Sequence, residues 1–220
     1  IAVLPFENMS SDPEQDYFSD GISEDIITDL SKIPDLMVIA RSSTFVYKGR
    51  QVSLRDVGRE LGVRYVLEGS VRKAGDRVRI TAQLVDATDD SHVWADRYDG
   101  ALDDIFSLQD LVTGEIVTAL ELQLQTPDRA MVADRSEPSV AAYDHVLRAR
   151  QYFFRFTREA NAAARAEIEE ALAIDPEYAE AISLMAECHL QIFHQFWSDD
   201  PASELQSAAE YAHRAVALDE

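Results

Sequence analysis

The sequence is poor in the residues that build disulfide scaffolds, thiolate metal sites and membrane spans. Cys188 is the single cysteine among 220 residues. That count excludes a disulfide framework and a thiolate metal site, and it predicts a cysteine that packs as a buried small hydrophobe. No apolar run approaches the ~18 residues of a membrane-spanning helix, and no signal-peptide pattern is present. The sequence therefore predicts a globular region without a membrane span of its own.

Basic residues are also scarce. Lys and Arg number 20 against 41 Asp and Glu, for a formal net charge of -21. Nucleic acids and anionic membranes repel such a chain at long range, so we expect no direct nucleic-acid contact. The length favours two domains. Ile1 lies inside an apolar run without an initiator Met, which predicts a fragment of a longer protein.

Catalytic motifs are missing as well. The chain contains no GxxxxGK[ST], GxGxxG, GxSxG or HExxH pattern. The usual sequence motifs of nucleotide-binding proteins, serine hydrolases and zinc metalloproteases are therefore absent. The five histidines show no spacing that suits a metal site. We expect no catalytic residue, no metal and no cofactor in this region, whatever the activity of the full-length protein.

The first half of the chain alternates strand and helix signals. Apolar runs predict strands at 1–6, 36–40, 65–73, 77–86 and 92–98, and helical spacing predicts helices at 16–33, 53–62 and 105–125. A βαβ start followed by an antiparallel meander predicts a mixed-sheet α/β domain over residues 1–126.

Four cations lie close together in the hairpin "VRKAGDRVR". A turn at Ala74-Gly75 would place Val71 opposite Val78, so that one face is apolar and the other carries the arginines. The clean alternation predicts a solvated face, and an anion-binding face is the alternative. No aromatic residue is interleaved there for stacking on nucleic-acid bases.

Polar side chains follow the first two predicted strands. In open α/β sheets, ligands bind beyond the carboxyl ends of strands, and a small anion could bind there beside a helix N-terminus. The alternative is that these groups cap turns. The candidate ligand-binding residues are Asn8, Ser10, Arg41, Ser42, Ser43 and Thr44.

The second half is alanine-rich and helical, from residue 140 to 220, after a predicted linker at 127–139. Ala164, Ile168 and Ala171 recur 44 residues later as alanines. Small residues at these offsets allow antiparallel helices to pack closely. We expect about ten inserted residues at 195–204, because the spacing exceeds the usual repeat length of about 34.

Two family resemblances follow from these segments. "ALAIDPEYAEAISLMAECH" resembles the tetratricopeptide repeat (TPR), which implies an all-α array that continues beyond residue 220 and binds a protein or peptide. "IAVLPFENMSSDPEQDYFSDGISEDIITDLSKI" and "ELGVRYVLEGSVRKAGDRVRITAQLVDA" resemble the TolB amino-terminal-like domain. That resemblance implies a regulatory region of a bacterial class III adenylate or guanylate cyclase, and hence cAMP signalling. A CadC-like winged-helix transcription regulator is the alternative.

The resemblances lead to a functional expectation: a non-catalytic sensor and protein-interaction region. It would be cytoplasmic, or periplasmic if a transmembrane helix precedes Ile1. A small-ligand partner and assembly into a homo-oligomer stay open. Aromatic residues of the helical half are candidates for protein contact, with packing against the first domain or exposure by truncation as alternatives. They are Tyr152, Phe153, Phe156, Phe196 and Trp197.

Overall fold

The computed structural model describes residues 1–34, 36–124 and 139–218, with the backbone alone described for 121–124. The chain divides into two compact units, Ile1–Arg135 and Ser136–Glu220. Apart from Ser139, the predicted linker lies outside the described residues. None of the described helices combines the length and hydropathy that crossing a membrane requires.

A five-stranded mixed sheet forms the centre of the first unit. Its strands are β1 (Ala2–Val3), β2 (Glu7–Asn8), β3 (Tyr65–Ala74), β4 (Arg77–Asp86) and β5 (Ser91–Ala101). The order is β1-β3-β4-β5, and β2 also pairs with β3. Both short strands run parallel to β3, whereas β3, β4 and β5 form an antiparallel meander. The predicted mixed α/β sheet is confirmed.

Helices cover both faces of this sheet. They are α1 (Asp16–Leu30), α2 (Arg41–Thr44), α3 (Leu54–Leu61) and α4 (Ile105–Leu124). Helix α3 packs Val57 against Val66 of β3. Leu67, the next residue of β3, points to the opposite face and is also fully buried. Helix α1 buries four of the five side chains that the helical spacing predicted, Phe18, Ile22, Ile26 and Leu30. The helix ends at Leu30, so the fifth, Ile33, lies beyond it and is half-buried, and the predicted end at residue 33 is wrong.

The predicted first strand is interrupted at Pro5. Proline has no N–H for a ladder and fixes its own φ, so β1 ends before it and β2 begins after it. The Phe6 N–H donates instead to Ser23 Oγ of α1 at 2.8 Å. The Ser23 hydroxyl donates to Ser19 O at 2.8 Å, so this break in the ladder leaves the buried Phe6 N–H satisfied.

The predicted strand at 36–40 is wrong. This segment is irregular, although it lies beside the start of β1. The Ile1 amino group donates to Met37 O at 2.7 Å, and Ile39 N–H donates to Ile1 O at 3.0 Å. Because β1 has only two residues, the segment forms just these two hydrogen bonds with Ile1 and does not extend into a strand ladder. Met37 is 71% exposed, so the apolar run does not form a buried strand.

The predicted hairpin register is wrong by two residues. Ala74 pairs with Arg77 and Val71 with Ile80, so the loop is Gly75-Asp76. Gly75 has a φ of +61° at the first loop position, where a type II′ turn requires it. An even shift leaves each side chain on its predicted face. The apolar face is therefore buried as expected, through Val71, Val78, Ile80, Ala82 and Leu84.

The arginines on the opposite face of the hairpin are exposed or partly exposed, so we expect them to contribute little to stability. Arg79 Nε lies 2.6 Å from Asp99 Oδ1, with 42% of the arginine side chain exposed. Exposed ion pairs of this kind are screened by water and salt. We expect Arg77→Ala and Arg79→Ala to leave the urea midpoint unchanged within error. Val78→Ala, which truncates a buried side chain of the same strand, should lower it; a drop for Arg79→Ala of comparable size would show that this face is covered.

Four helices build the second unit: α5 (Val140–Phe153), α6 (Arg158–Ile174), α7 (Ala179–His194) and α8 (Pro201–Leu218). Ser139 and Thr157 cap α5 and α6, each accepting a backbone N–H three residues on. Successive helices pack against one another. Their contacts consist largely of small side chains, among them Ala142, Ala149, Ala164, Ala171, Ala181 and Cys188. The all-α second half is thus observed.

Two details of the second half differ from the prediction. The inserted loop ends at Asp200, because Pro201 begins α8 and proline is well suited to a first helical turn. Ala212 is exposed, whereas Ile168, its counterpart 44 residues earlier, is fully buried. Helix α6 packs against both α5 and α7, whereas the chief partner of α8 among the described helices is α7.

Candidate functional site

Asn8 and Ser10 hold together the loop that follows β2. Asn8 Nδ2 donates to Asp16 Oδ1 at 2.8 Å, and Asn8 Oδ1 accepts the Ser10 N–H at 2.9 Å. Ser10 Oγ accepts the Lys73 N–H of β3 at 2.9 Å. These side chains therefore tie the loop to the start of α1 and to the sheet.

The other four predicted ligand residues form α2. Arg41 Nε donates to Glu24 Oε2 at 3.0 Å, and its guanidinium lies 3.8 Å from the centroid of the Phe45 ring. Thr44 is fully buried, and its hydroxyl donates to Arg41 O at 3.2 Å. Ser42 and Ser43 are exposed.

The loop after β2 and helix α2 contact α1 at different positions along its length. Asn8 binds Asp16 at the start of this helix, and Arg41 binds Glu24 eight residues further on. Eight residues correspond to about 12 Å along an α-helix. The structure therefore joins each group to a different turn of α1 and does not bring Asn8 next to Arg41.

An open hollow of about 360 Å³ lies elsewhere on the first unit, beside the start of α3. Asp90 has a φ of +61° and its carboxylate lies 3.0 Å from Arg55. The described residues contain no cluster of three or more side chains that could hold a metal ion. No sequence pattern predicted this hollow, because its lining comes from three strands, the start of α3 and the loop before β5: Ser53, Leu54, Glu68, Gln83, Val85, Asp90 and His92.

Three pKa shifts in the described region have local structural causes. Cys188 is buried, as predicted. Burial raises the pKa of its thiol to about 12, so the thiol is protonated near neutral pH. Burial likewise raises the pKa of Tyr98 to about 12. Burial acts to raise the pKa of Asp86, but hydrogen bonds from Thr88 and Arg64 hold it below its usual value. These shifts follow from local packing and turn structure.

The predicted aromatic residues surround the end of α5 and the end of α7. The Phe153 ring lies 6.2 Å from the Phe156 ring, and Arg155 lies 4.9 Å from the centroid of Tyr152. Trp197 O accepts a hydrogen bond from Arg158 Nη2 at 2.5 Å. The aromatic side chains thus divide between half-buried positions and solvent.

Two of these phenylalanines have left-handed backbone conformations. Phe156 has a φ of +52° and Phe196 a φ of +54°. After α7, Phe196 N–H donates to Phe193 O at 3.2 Å, and Trp197 N–H donates to Ile192 O at 3.0 Å. This is a Schellman motif with Phe at the position that normally holds Gly. A bulky residue in this region stores about 1–3 kcal/mol of strain.

A groove of about 240 Å³ lies beside these residues. Its floor is held by a buried amide network. Gln191 Nε2 donates to Phe153 O at 3.2 Å, and Gln191 Oε1 accepts from Asn161 Nδ2 at 2.9 Å. Tyr152, Phe196 and Trp197 lie outside the lining, which consists of Phe153, Phe156, Glu187, Leu190, Gln191, His194 and Gln195. The arrangement is suited to accept an apolar side chain.

Comparison with known proteins gives one relative along the whole chain. The protein named "Putative adenylate cyclase 3" of Rhizobium meliloti (strain 1021) is 48% identical over 219 residues. The match covers 100% of this chain and 37% of that protein. The chain therefore spans little more than a third of the relative's length.

Solved structures match the chain at lower similarity. TolB from Acinetobacter baumannii has a TM-score of 0.42 and 20% identity, covering 54% of this chain and 27% of TolB. Lipoprotein GNA1162 from Neisseria meningitidis has a TM-score of 0.39 and 21% identity, covering 58% of this chain and 97% of the lipoprotein.

A family model also matches the first unit. It describes the second domain of HilA/YgeH-like transcriptional regulators, and it matches residues 1–114. This match includes every strand of the sheet and the helices α1, α2 and α3. It spans more than half of the chain, and the protein therefore belongs to the family of the HilA/YgeH-like transcriptional regulator second domain.

Proposed function

We propose that this chain is a non-catalytic regulatory region of a bacterial nucleotide cyclase. The observation that carries the proposal is the 48% identity to a protein named as an adenylate cyclase, of which the chain spans 37%. A match of that extent leaves most of the relative's length for other domains, including a catalytic one.

Within this region, we assign partner binding to the second unit. Four helices joined by short loops, with alanines at their contacts, support a TPR-type array. Such helix pairs expose extended surfaces for proteins or peptides. The first unit would then be the sensor, and the synthesis of cAMP or cGMP elsewhere in the protein would be the output.

The full-length protein tests this proposal. Formation of cyclic nucleotide from ATP or GTP is measured for the intact protein and for a variant that lacks residues 1–220. We expect the deletion variant to stay catalytically competent while its rate changes severalfold. The isolated 220-residue chain serves as the control and should form no cyclic nucleotide. Turnover by the isolated chain, or an unchanged rate after the deletion, would contradict the proposal.

A second candidate has its own support. The family that matches residues 1–114 is named for transcriptional regulators, so the chain could be the sensing half of a winged-helix activator. The two candidates differ in their output. Cyclic nucleotide formation by the full-length protein favours the cyclase, whereas sequence-specific DNA occupancy without nucleotide turnover favours the activator.

A small ligand at the sheet edge is a further proposal for the first unit. Its groups are those of the loop after β2 and of α2. Because Asn8 and Arg41 are bonded to α1 at positions eight residues apart, a ligand that contacts both sets would have to extend along this helix. Native mass spectrometry of the chain, together with melting curves in the presence of nucleotides, tests it. A protein that carries no bound mass and shows no shift in melting would rule the ligand out.

A further inference from the structure

Phe156 and Phe196 combine two unfavourable features that the fold does not require. Each has a left-handed φ, and their side chains are 57% and 85% exposed. Glycine adopts this φ without strain and would also remove the exposed ring. Neither ring belongs to the hydrophobic core of the second unit. The Phe156 ring lies 6.2 Å from the Phe153 ring, but core packing alone does not account for a large exposed ring at either position.

Phe156 lines the groove at the ends of α5 and α7, whereas Phe196 lies outside its lining and directly follows Gln195, a lining residue. Leu190, which also lines the groove, is 38% exposed. Exposed large apolar side chains that cluster in this way mark contact sites. Aromatic residues are also the commonest anchors of protein interfaces.

The charge of the second unit indicates the chemistry of the partner. Residues 139–218 contain thirteen Asp and Glu, six Arg and no Lys, a net charge of -7. The nearest cations already have contacts, since Arg155 lies over Tyr152 and Arg158 donates to Trp197 O. No Lys or Arg lines the groove, whereas Glu187 does. An anionic partner would be repelled, and a cationic one attracted.

We propose that this groove binds a cationic, apolar segment of a partner protein. A large apolar side chain of that segment would occupy the space between Phe153, Phe156 and Leu190. Its Arg or Lys side chains would lie over the exposed phenylalanine rings, whose faces attract cations. This inference rests on the proposed partner-binding function of the second unit, and it adds the chemistry of the partner.

A labelled peptide tests the chemistry on the 220-residue chain. The probe is a fluorescein-labelled 12-residue peptide of Leu and Arg, with Leu at every third or fourth position. Two control peptides replace Arg by Glu or Leu by Ser. Fluorescence anisotropy should show binding of the Leu/Arg peptide at least about tenfold tighter than of either control, a difference of about 1.4 kcal/mol.

Glycine variants test the two phenylalanines. Phe156→Gly and Phe196→Gly should each weaken binding at least about tenfold, while the melting temperature stays the same or rises because backbone strain is released. Leu205→Ser is the matched control: Leu205 is 41% exposed on α8 and lies outside the groove lining. It should leave the affinity unchanged.

The outcomes separate this inference from the proposed function. Unchanged affinity of both glycine variants overturns the inference, and so does a fall of several degrees in their melting temperature, which would assign the rings to packing. Preferential binding of the Glu peptide overturns the cationic partner but leaves partner binding intact. Failure of all three peptides also overturns the inference, and the cyclase assay then decides the proposed function independently.

Discussion

Gly69→Ala is expected to destabilise the first unit by about 3 kcal/mol, at the upper end of what overpacking a core usually costs. An added Cβ would lie 2.4 Å from Thr81 O of β4 and 2.7 Å from Cε2 of the Phe6 ring. The carbonyl belongs to the sheet backbone, and the Phe6 side chain is buried. Neither neighbour can move without disturbing the sheet.

Urea denaturation provides the measurement. Trp94 lies in the first unit and Trp197 in the second, so a Trp197→Phe background allows Trp94 fluorescence to report the first unit. Gly114→Ala is the matched control: it lies within α4 and its added Cβ would meet nothing within 4 Å. Because alanine favours helix more than glycine does, the control should be neutral or gain up to ~1 kcal/mol. A loss below about 1 kcal/mol for Gly69→Ala would refute the close contact between Phe6 and β3.

Ile168→Ala is the second large effect. Ile168 is fully buried in the core between the helices of the second unit. Truncation removes three carbons and leaves a cavity, which costs about 2–5 kcal/mol. We expect the urea midpoint of the second unit to fall accordingly, as followed by Trp197 fluorescence in a Trp94→Phe background.

The internal repeat supplies the matched control for this prediction. Ala212 occupies the equivalent position 44 residues later and is exposed. Ala212→Ile should therefore change stability by no more than about 0.5 kcal/mol. Equal losses for both variants would mean that the two positions share one environment, contrary to the structure.

Hydrophobic periodicity correctly predicted which face of a helix or strand is buried, because that face is set by the spacing of apolar residues within the element. Helix α1 was predicted from the spacing of Phe18, Ile22, Ile26, Leu30 and Ile33, and the first four of these side chains are buried within it. The faces of the β3-β4 hairpin were also predicted correctly, because alternation survives an even shift of register. The register itself was wrong, since the position of the turn depends on which residue adopts the positive φ, and Gly75 can serve two loop positions.

The predictions that failed depended on a neighbour that the sequence does not specify. The segment 36–40 reads as a strand, yet β1 offers it only the backbone groups of Ile1. Ala212 reads as a core residue by analogy with Ile168, yet it is exposed, because α8 packs chiefly against α7 among the described helices. The apolar pattern of a segment does not specify which neighbouring element will cover it.

The candidate sites show the same division. The sequence identified the aromatic residues around Phe153 and Phe196 but not which of them share a surface. The groove exists because α5 and α7 end near each other and because the buried Asn161–Gln191 amide pair fixes its floor. The sequence of neither helix alone specifies that the ends of α5 and α7 lie next to each other.

The sequence by itself determined the class of each half, the faces of the main strands and helices, and the absence of catalytic motifs, because these follow from composition and periodicity. Tertiary structure alone decided the hairpin register, the irregular conformation of the segment 36–40 and the formation of the groove near the two strained phenylalanines. Each of these depends on which distant segments come into contact, and contact energies between distant segments leave no periodic mark on a single sequence.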